Sequence, residues 1–277
     1  MVPITTKGDT DSRPIFAIDQ KGIFEKEIDK AVAEKKIDFA VHSLKDIPSR
    51  LPDGLVIACI PRRGPVNDVL VSADGSALKD LRQNALVGTS SLRRAVQIAR
   101  KRPDIRVRPI RGNIETRIKK ISDQKYDGII LAAAGILRLG LDVKHVMLPI
   151  SDFVPSPGQG ALAAVARKDD TATVSMLEKI NDNDSRIRVE AERALSSAID
   201  SGCRFPVGAY ASSTAETLAI MVSVFSVDGS KSISIKRTGP RSDPLLLGRL
   251  AASELQKRGI DDLALNWREK VREWNVK

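Results

Sequence analysis

Short apolar runs alternate with helix-like spacing through the middle of the chain. Ala85-Leu86-Val87 reads as a buried strand, followed by Gly88-Thr89-Ser90-Ser91 and a helix through about Arg100. Ile105 to Ile110 alternates apolar and basic residues as a second strand. Arg111-Gly112-Asn113 then turns into a helix whose Ile114, Ile118 and Ile121 share one face. Gly128 to Ala133 is a third strand, again with a helical stretch behind it. This order predicts a parallel sheet with helices on its faces. In such sheets ligands sit beyond the carboxyl ends of the strands.

On the amino-terminal side, Ile23 to Lys36 is helix-like, Asp38 to Val41 a short strand and Leu55 to Ile60 a buried one. Pro61-Arg62-Arg63-Gly64-Pro65 and Phe153-Val154-Pro155-Ser156-Pro157-Gly158-Gln159-Gly160 read as two crossings. Two crossings around one α/β unit predict a chain that leaves a first lobe and later returns to it, as in hinged binding proteins. Beyond them come a helix from Arg186 to Ile199, three strand-like runs within Pro206 to Lys236, and helices near Pro244–Lys257 and Asp261–Glu273. The expected fold is therefore α/β: two periplasmic-binding-protein-like lobes with a hinge, plus a small α+β carboxyl-terminal domain with an antiparallel sheet. The expected boundaries are 1–61 with 161–178 for the first domain, 66–154 for the second and 183–277 for the third.

Composition narrows the class. With 277 residues, 42% of them hydrophobic, the chain can bury more than one core. No apolar run reaches the roughly 18 residues of a membrane span. The first residues show neither the basic start nor the apolar stretch of a signal peptide, so a cytoplasmic location is expected. The net charge of +10 is local: between Arg82 and Lys120 twelve basic residues face only Asp104 and Glu115. A field of that density repels itself unless a polyanion visits it, nucleic acid or a polycarboxylate being the two obvious visitors; a solvated basic face is the plain alternative.

Three constellations carry possible chemistry. Val87 to Arg94 places a glycine, three hydroxyls (Thr89, Ser90, Ser91) and two guanidinium groups where a strand enters a helix, the setting of an anion site. The hydroxyls could equally cap that helix. Arg111, Arg117 and Arg138 fall at or after the next strand ends, and arginine's planar fork suits carboxylates. His42-Ser43-Leu44-Lys45-Asp46-Ile47-Pro48 sets an ammonium beside a carboxylate, either a working acid–base pair or a surface ion pair, with His42 read as a hydrogen-bonded core residue. Gly202-Cys203-Arg204-Phe205-Pro206 places Cys203 in a tight loop beside a charge that favours the thiolate, whereas Cys59 sits in an apolar strand and reads as inert. Two cysteines and two histidines, all separated, make no zinc site, and no metal is expected.

Taken in order, these segments resemble the hydroxymethylbilane synthase (porphobilinogen deaminase) family along nearly the whole chain. The matching stretches are Ala40 to Pro48, Val87 to Arg94, Ile110 to Arg117, Ile130 to Gly140, Pro157 to Ala161, Ala191 to Ala194 and the cysteine loop. The resemblance implies head-to-tail condensation of four porphobilinogen molecules with loss of ammonia, on a dipyrromethane cofactor attached through Cys203. It implies that Asp46 is the catalytic carboxylate. It implies cofactor and substrate binding by Lys45, Thr89, Ser90, Ser91, Arg93, Arg94, Arg111, Gly112, Asn113, Arg117, Arg138 and Gln159, and a mobile loop at Lys21 and Phe24. A monomer is expected, with no nucleic-acid or membrane partner, passing its product to uroporphyrinogen-III synthase. Family members carry a further strand, an Arg/Ser-containing turn and a helix ahead of the position matching Val2. A misassigned start is the expected reason for their absence from this sequence, an impaired product the alternative.

Two rivals remain at this stage. A nucleic-acid-binding protein calls for aromatic residues among the charges, and Arg82 to Lys120 contains none. A two-lobed anion-binding protein leaves the cysteine loop without a task.

Overall fold

The computed structural model describes residues 2, 4, 25–199 and 206–264. Helix α1 (Lys26–Ala33) leads into β1 (Phe39–Ser43), a single 3-10 turn (Leu44–Asp46) and β2 (Leu55–Cys59). The second sheet collects β3 (Asp68–Ser72), β4 (Leu86–Gly88), β5 (Arg106–Arg108), β6 (Gly128–Ala132) and β7 (His145–Met147). Between its strands lie α2 (Leu92–Lys101), α3 (Ile114–Ser122) and α4 (Ala133–Arg138). The chain then returns to the first sheet as β8 (Leu162–Arg167) and continues through α5 (Thr171–Glu178) and α6 (Asn183–Ala198). The last part holds β9 (Val207–Ser213), β10 (Thr217–Phe225), β11 (Ser232–Pro240), α7 (Pro244–Lys257) and α8 (Ile260–Ala264).

Sheet order gives the two-lobed path directly. The first sheet runs β1-β8-β2, so its central strand comes from the far side of the excursion. All its described pairings are antiparallel, His42 lying opposite Ala163 and Leu55 opposite Arg167. The second sheet runs β5-β4-β6-β3-β7. Its β4–β5 and β4–β6 pairs are parallel as the spacing predicts, while β3 runs antiparallel to both neighbours. β3 and β8 escape a search for alternation. Every residue of β3 is buried, and β8 is alanine-rich and buried over its four central positions, so neither shows a polar face. The third sheet is an antiparallel meander, β11-β10-β9.

Helix starts follow local chemistry. Asn113, Asp170, Asp182 and Asp243 each accept a bond from a backbone N–H of the first turn of α3, α5, α6 and α7, and Pro244 opens α7 where no amide is needed. Five clusters of buried apolar side chains follow. One fills the third sheet against α6 and α7, with Leu195, Leu218, Ile220, Leu247 and Leu255 at its centre. Another, around Leu44, Ile60 and Val165, also takes in Val189 of α6, so the helix that serves the third sheet closes the first lobe as well. No helix among the described residues is long and apolar enough to cross a membrane.

Candidate functional site

The 3-10 turn after β1 presents Lys45 and Asp46. Leu44, buried between them and the sheet, fixes the turn, and its N–H donates to the Ala161 carbonyl at 3.0 Å. The chain leaving the turn is gripped from α6. Arg193 Nη2 donates to the carbonyls of Pro48 at 2.9 Å and Ser49 at 3.2 Å, and Nη1 to that of Ile47 at 3.4 Å. Asp46 is exposed and Lys45 half-buried. Burial lowers the Lys45 pKa; Asp46 and Asp68 oppose that effect, and Arg94 and Arg93 add to it. A Cβ on Gly158 would lie 3.2 Å from the Lys45 backbone nitrogen, and the next residue, Gln159, bonds Asp68 and Arg94, so the turn sits close to the start of α2.

That start is built around a carboxylate that no motif announces. Asp68, the first residue of β3, is fully buried. Its Oδ1 accepts from Arg94 Nε at 2.9 Å and Nη2 at 2.7 Å, and from Gln159 Nε2 at 2.9 Å. Its Oδ2 accepts from Arg93 Nη1 at 2.8 Å. Burial alone would raise the Asp68 pKa, but the two guanidinium groups outweigh it and hold the carboxyl well below the usual carboxylate range. Gln159, expected among the ligand contacts, is itself buried and has its amide engaged by Asp68, the Val66 carbonyl and Arg94.

The hydroxyls divide their tasks. Ser91 is the N-cap residue of α2, yet its side chain makes no capping bond. Thr89 Oγ1 accepts from the Ser91 N–H at 3.2 Å, and Ser90 Oγ donates to the Ile110 carbonyl at 2.5 Å. The capping alternative therefore does not describe Ser91. Gly112 has a φ of +109°, a left-handed turn that leads into α3, where Asn113 is the cap. Arg117 Nε donates to the Gly112 carbonyl at 2.7 Å. Burial lowers the Arg117 pKa, with further lowering from Arg94 and Arg111, so these three cations are electrostatic neighbours. Arg138 is exposed and reaches the crossing segment, donating from Nη2 to the Gly160 carbonyl at 2.6 Å.

The basic segment needs less external neutralisation than its sequence predicts. Arg82 pairs with Asp127, Arg93 and Arg94 with Asp68, and Lys101 with Asp152, carboxylates remote in sequence but adjacent in the fold. Arg102 pairs with Asp104, while Arg100 and Lys120 donate to the carbonyls of Gly229 and Arg111. His42 is the core residue expected of it, buried against Asp29 at 3.1 Å. Cys59 is buried, and desolvation raises its thiol pKa, as an inert cysteine requires. Cys203, Lys21 and Phe24 lie outside the described residues. Among those described, no group of three or more His, Cys, Asp or Glu side chains is arranged to hold a metal.

A second buried hub joins the crossings to the third sheet. Glu192 on α6, fully buried, receives Arg63 through both Nη atoms at 2.8 and 3.0 Å, the Gly158 N–H at 2.7 Å and the Ala211 N–H at 2.8 Å. The Arg63 guanidinium also lies 5.9 Å from the Tyr210 ring centroid. Glu192 and Arg193 belong to a stretch that matched the family pattern, but the sequence assigned neither a task.

An α/β chain that crosses twice between two sheets, with Lys45 and Asp46 on a turn of the first and the Arg93–Arg94 pair at a helix start of the second, defines a two-lobed protein. Two family models match it: "Porphobilinogen deaminase, dipyromethane cofactor binding domain" over residues 1–175 and "Porphobilinogen deaminase, C-terminal domain" over residues 186–257. The probable porphobilinogen deaminase of Nitrosopumilus maritimus (strain SCM1) is 64% identical over 272 residues, covering 98% of this chain and 88% of that protein. The porphobilinogen deaminase of Brevibacillus brevis is 44% identical over 265 residues, covering 94% and 84%. The chain belongs to the porphobilinogen deaminase (hydroxymethylbilane synthase) family, a family of transferases in tetrapyrrole biosynthesis whose cofactor is dipyrromethane. Among solved structures, a Salmonella typhimurium periplasmic binding protein described for high arginine specificity has a TM-score of 0.36 at 16% identity, covering 59% of this chain and 72% of that one. A Legionella pneumophila arginine-transport periplasmic binding protein has a TM-score of 0.33 at 16% identity, covering 57% and 71%. Likenesses this distant carry no functional argument.

Proposed function

We propose that this chain condenses four porphobilinogen molecules head to tail into hydroxymethylbilane, with Asp46 as the catalytic carboxylate and Cys203 as the attachment point of the dipyrromethane. The observation that carries this reading is the Arg93–Arg94 pair held on Asp68 at the start of α2, bridged through Gln159 to the crossing segment that packs on the Lys45–Asp46 turn. Dipyrromethane supplies a primer whose acidic side chains require cationic partners. The donor set fits it. Arg93 bonds Asp68 and Val154 through Nη1, and its Nε and Nη2 have no further partner among the described residues. The backbone N–H groups opening α2 carry no side-chain cap from Ser91, and Arg117 and Arg111 extend the positive field.

Each residue then has a definable task. Asp46, exposed and held by the Arg193 grip on the following carbonyls, hydrogen-bonds pyrrole N–H groups and stabilises the cation left when ammonia departs from porphobilinogen. Lys45 and Arg93 orient carboxylates, with Thr89, Ser90, Ser91, Arg94, Arg111, Gly112, Asn113, Arg117, Arg138 and Gln159 forming or supporting the same cleft, and Lys21 and Phe24 belonging to a loop at its edge.

The three sheets are read as the cores of three domains, 1–61 with 161–178, 66–154 and 183–277. Most of the apolar surface of the three sheets is covered within this chain, Phe39 and Val41 of β1 being exposed, and we read the protein as a monomer. Reduced thiols favour attachment at Cys203, and we place the reaction in the cytoplasm for that reason. The linear product passes to uroporphyrinogen-III synthase.

Turnover of porphobilinogen, followed through ammonia release and product formation, tests the assignment. Asp46→Ala should melt like the parent and keep its adduct, yet lose at least about a hundredfold in rate. Near-parental turnover would remove Asp46 from its role.

A further inference from the structure

We propose that Asp68 is a positioning residue of this cleft: its buried carboxylate sets the planes of the Arg93 and Arg94 guanidinium groups, so that one edge of Arg93 is presented to a ligand carboxylate beside Lys45. The proposal rests on the functional reading above and assigns part of its specificity. Two adjacent guanidinium groups at a helix start repel one another and also face the positive end of the helix dipole. Without a local anion they would turn apart. Asp68 supplies that anion from inside the protein, with one oxygen for each arginine: Oδ1 at 2.9 and 2.7 Å from Arg94 Nε and Nη2, Oδ2 at 2.8 Å from Arg93 Nη1.

The remaining contacts fix the set from several directions. Arg94 Nη1 donates to the Ile130 carbonyl at 3.2 Å, and Arg93 Nη1 donates also to the Val154 carbonyl at 2.7 Å. Gln159 Nε2 reaches Asp68 at 2.9 Å and the Val66 carbonyl at 2.7 Å. Val66 directly follows the outgoing crossing, and Val154 and Gln159 lie on the returning one. The carboxylate therefore references the arginine pair to both crossings at once. Arg94 is largely committed to protein acceptors, and the Nε–Nη2 edge of Arg93 is the part left for a ligand. A planar edge held at fixed orientation selects carboxylates bidentately, which a freely rotating cation does not.

Charge and geometry separate in two variants of the whole protein. Asp68→Asn keeps the shape and removes the charge; Asp68→Glu keeps the charge and displaces it by one methylene. For folded Asp68→Glu we expect most molecules to lack the dipyrromethane adduct by intact mass and, per adduct-bearing molecule, a rise in porphobilinogen KM with kcat less affected, kcat/KM per total protein falling about a hundredfold. A folded Asp68→Glu with full adduct and a KM within about twofold of the parent would overturn the proposal, because charge balance alone would then suffice. Asp68→Asn should show the same pattern at least as strongly, and a parental KM there would overturn it too. If neither variant folds, Gln159→Met decides, since it removes one donor to Asp68 without leaving a buried charge. A KM rise of about threefold supports the positioning role, and an unchanged KM sinks it. A parent protein with no turnover would instead sink the functional reading itself.

Discussion

Lys45 shows how a single side chain links burial to function. Lys45 is half-buried, and desolvation lowers its pKa, an effect that Asp46 and Asp68 oppose and Arg94 and Arg93 reinforce. Its neutral form is therefore reached at a lower pH than for a surface lysine. The unfolded chain then binds more protons through the window between the folded and the unfolded pKa, so the Lys45 contribution to stability rises with pH there. Binding has the opposite sense, because a carboxylate ligand prefers the charged form. We expect porphobilinogen KM to climb on the alkaline side, and Lys45→Arg to flatten that limb, since arginine keeps its charge. An identical alkaline limb in both proteins would exclude Lys45 as its source. Asp68 has the reverse sign. Its depressed pKa gives a contribution fully present above the unfolded value of about 3.9 and lost only as pH falls through the lower folded value. Most cationic members of the cleft were legible in the sequence as a local excess of arginine. Asp68 was not, because one acid at the head of an apolar run makes no motif, and its partners lie 25 and 26 residues away.

Elements were legible where one face meets water. The third sheet shows this in β11, whose outer positions alternate with Ile233 and Ile235, and the helices α3 and α7 declare themselves by spacing and caps. β3 and β8, buried on both faces, gave no such alternation, and the antiparallel first sheet followed only once β8 was in place. Packing between α6 and α7 was equally invisible. Gly248 brings the two helices so close that a Cβ would lie 2.4 Å from the Ala191 carbonyl oxygen and 2.7 Å from Ala194 Cβ. Gly248→Val should therefore cost about 1–3 kcal/mol through overpacking, read as a lower melting temperature. Because α6 also carries Glu192 and Arg193, the same variant should weaken the grip on the Asp46 turn. Full activity at a parental melting temperature would show that the two helices can separate freely.

Across the whole molecule, the crossings and the third domain meet at Glu192. Its carboxylate is buried with Arg63 and two backbone amides, one from the returning crossing and one from β9. Glu192→Ala would leave the Arg63 charge buried without its partner, a loss of about 3–5 kcal/mol that urea unfolding would report. A change under about 1 kcal/mol would mean the crossings are held by their other contacts. The two-lobed plan was legible because proline and glycine mark both crossings, whereas the hub that binds them needs residues 129 positions apart, Arg63 and Glu192. At this scale the central claim is that one thiol, Cys203, holds a dipyrromethane in a cleft of cations. Intact-mass measurement of the purified protein, with peptide mapping of any adduct, tests it most directly. We expect a dipyrromethane-sized increment on the Cys203 peptide that is abolished by Cys203→Ser. A bare polypeptide mass, or an increment on the Cys59 peptide, would contradict it.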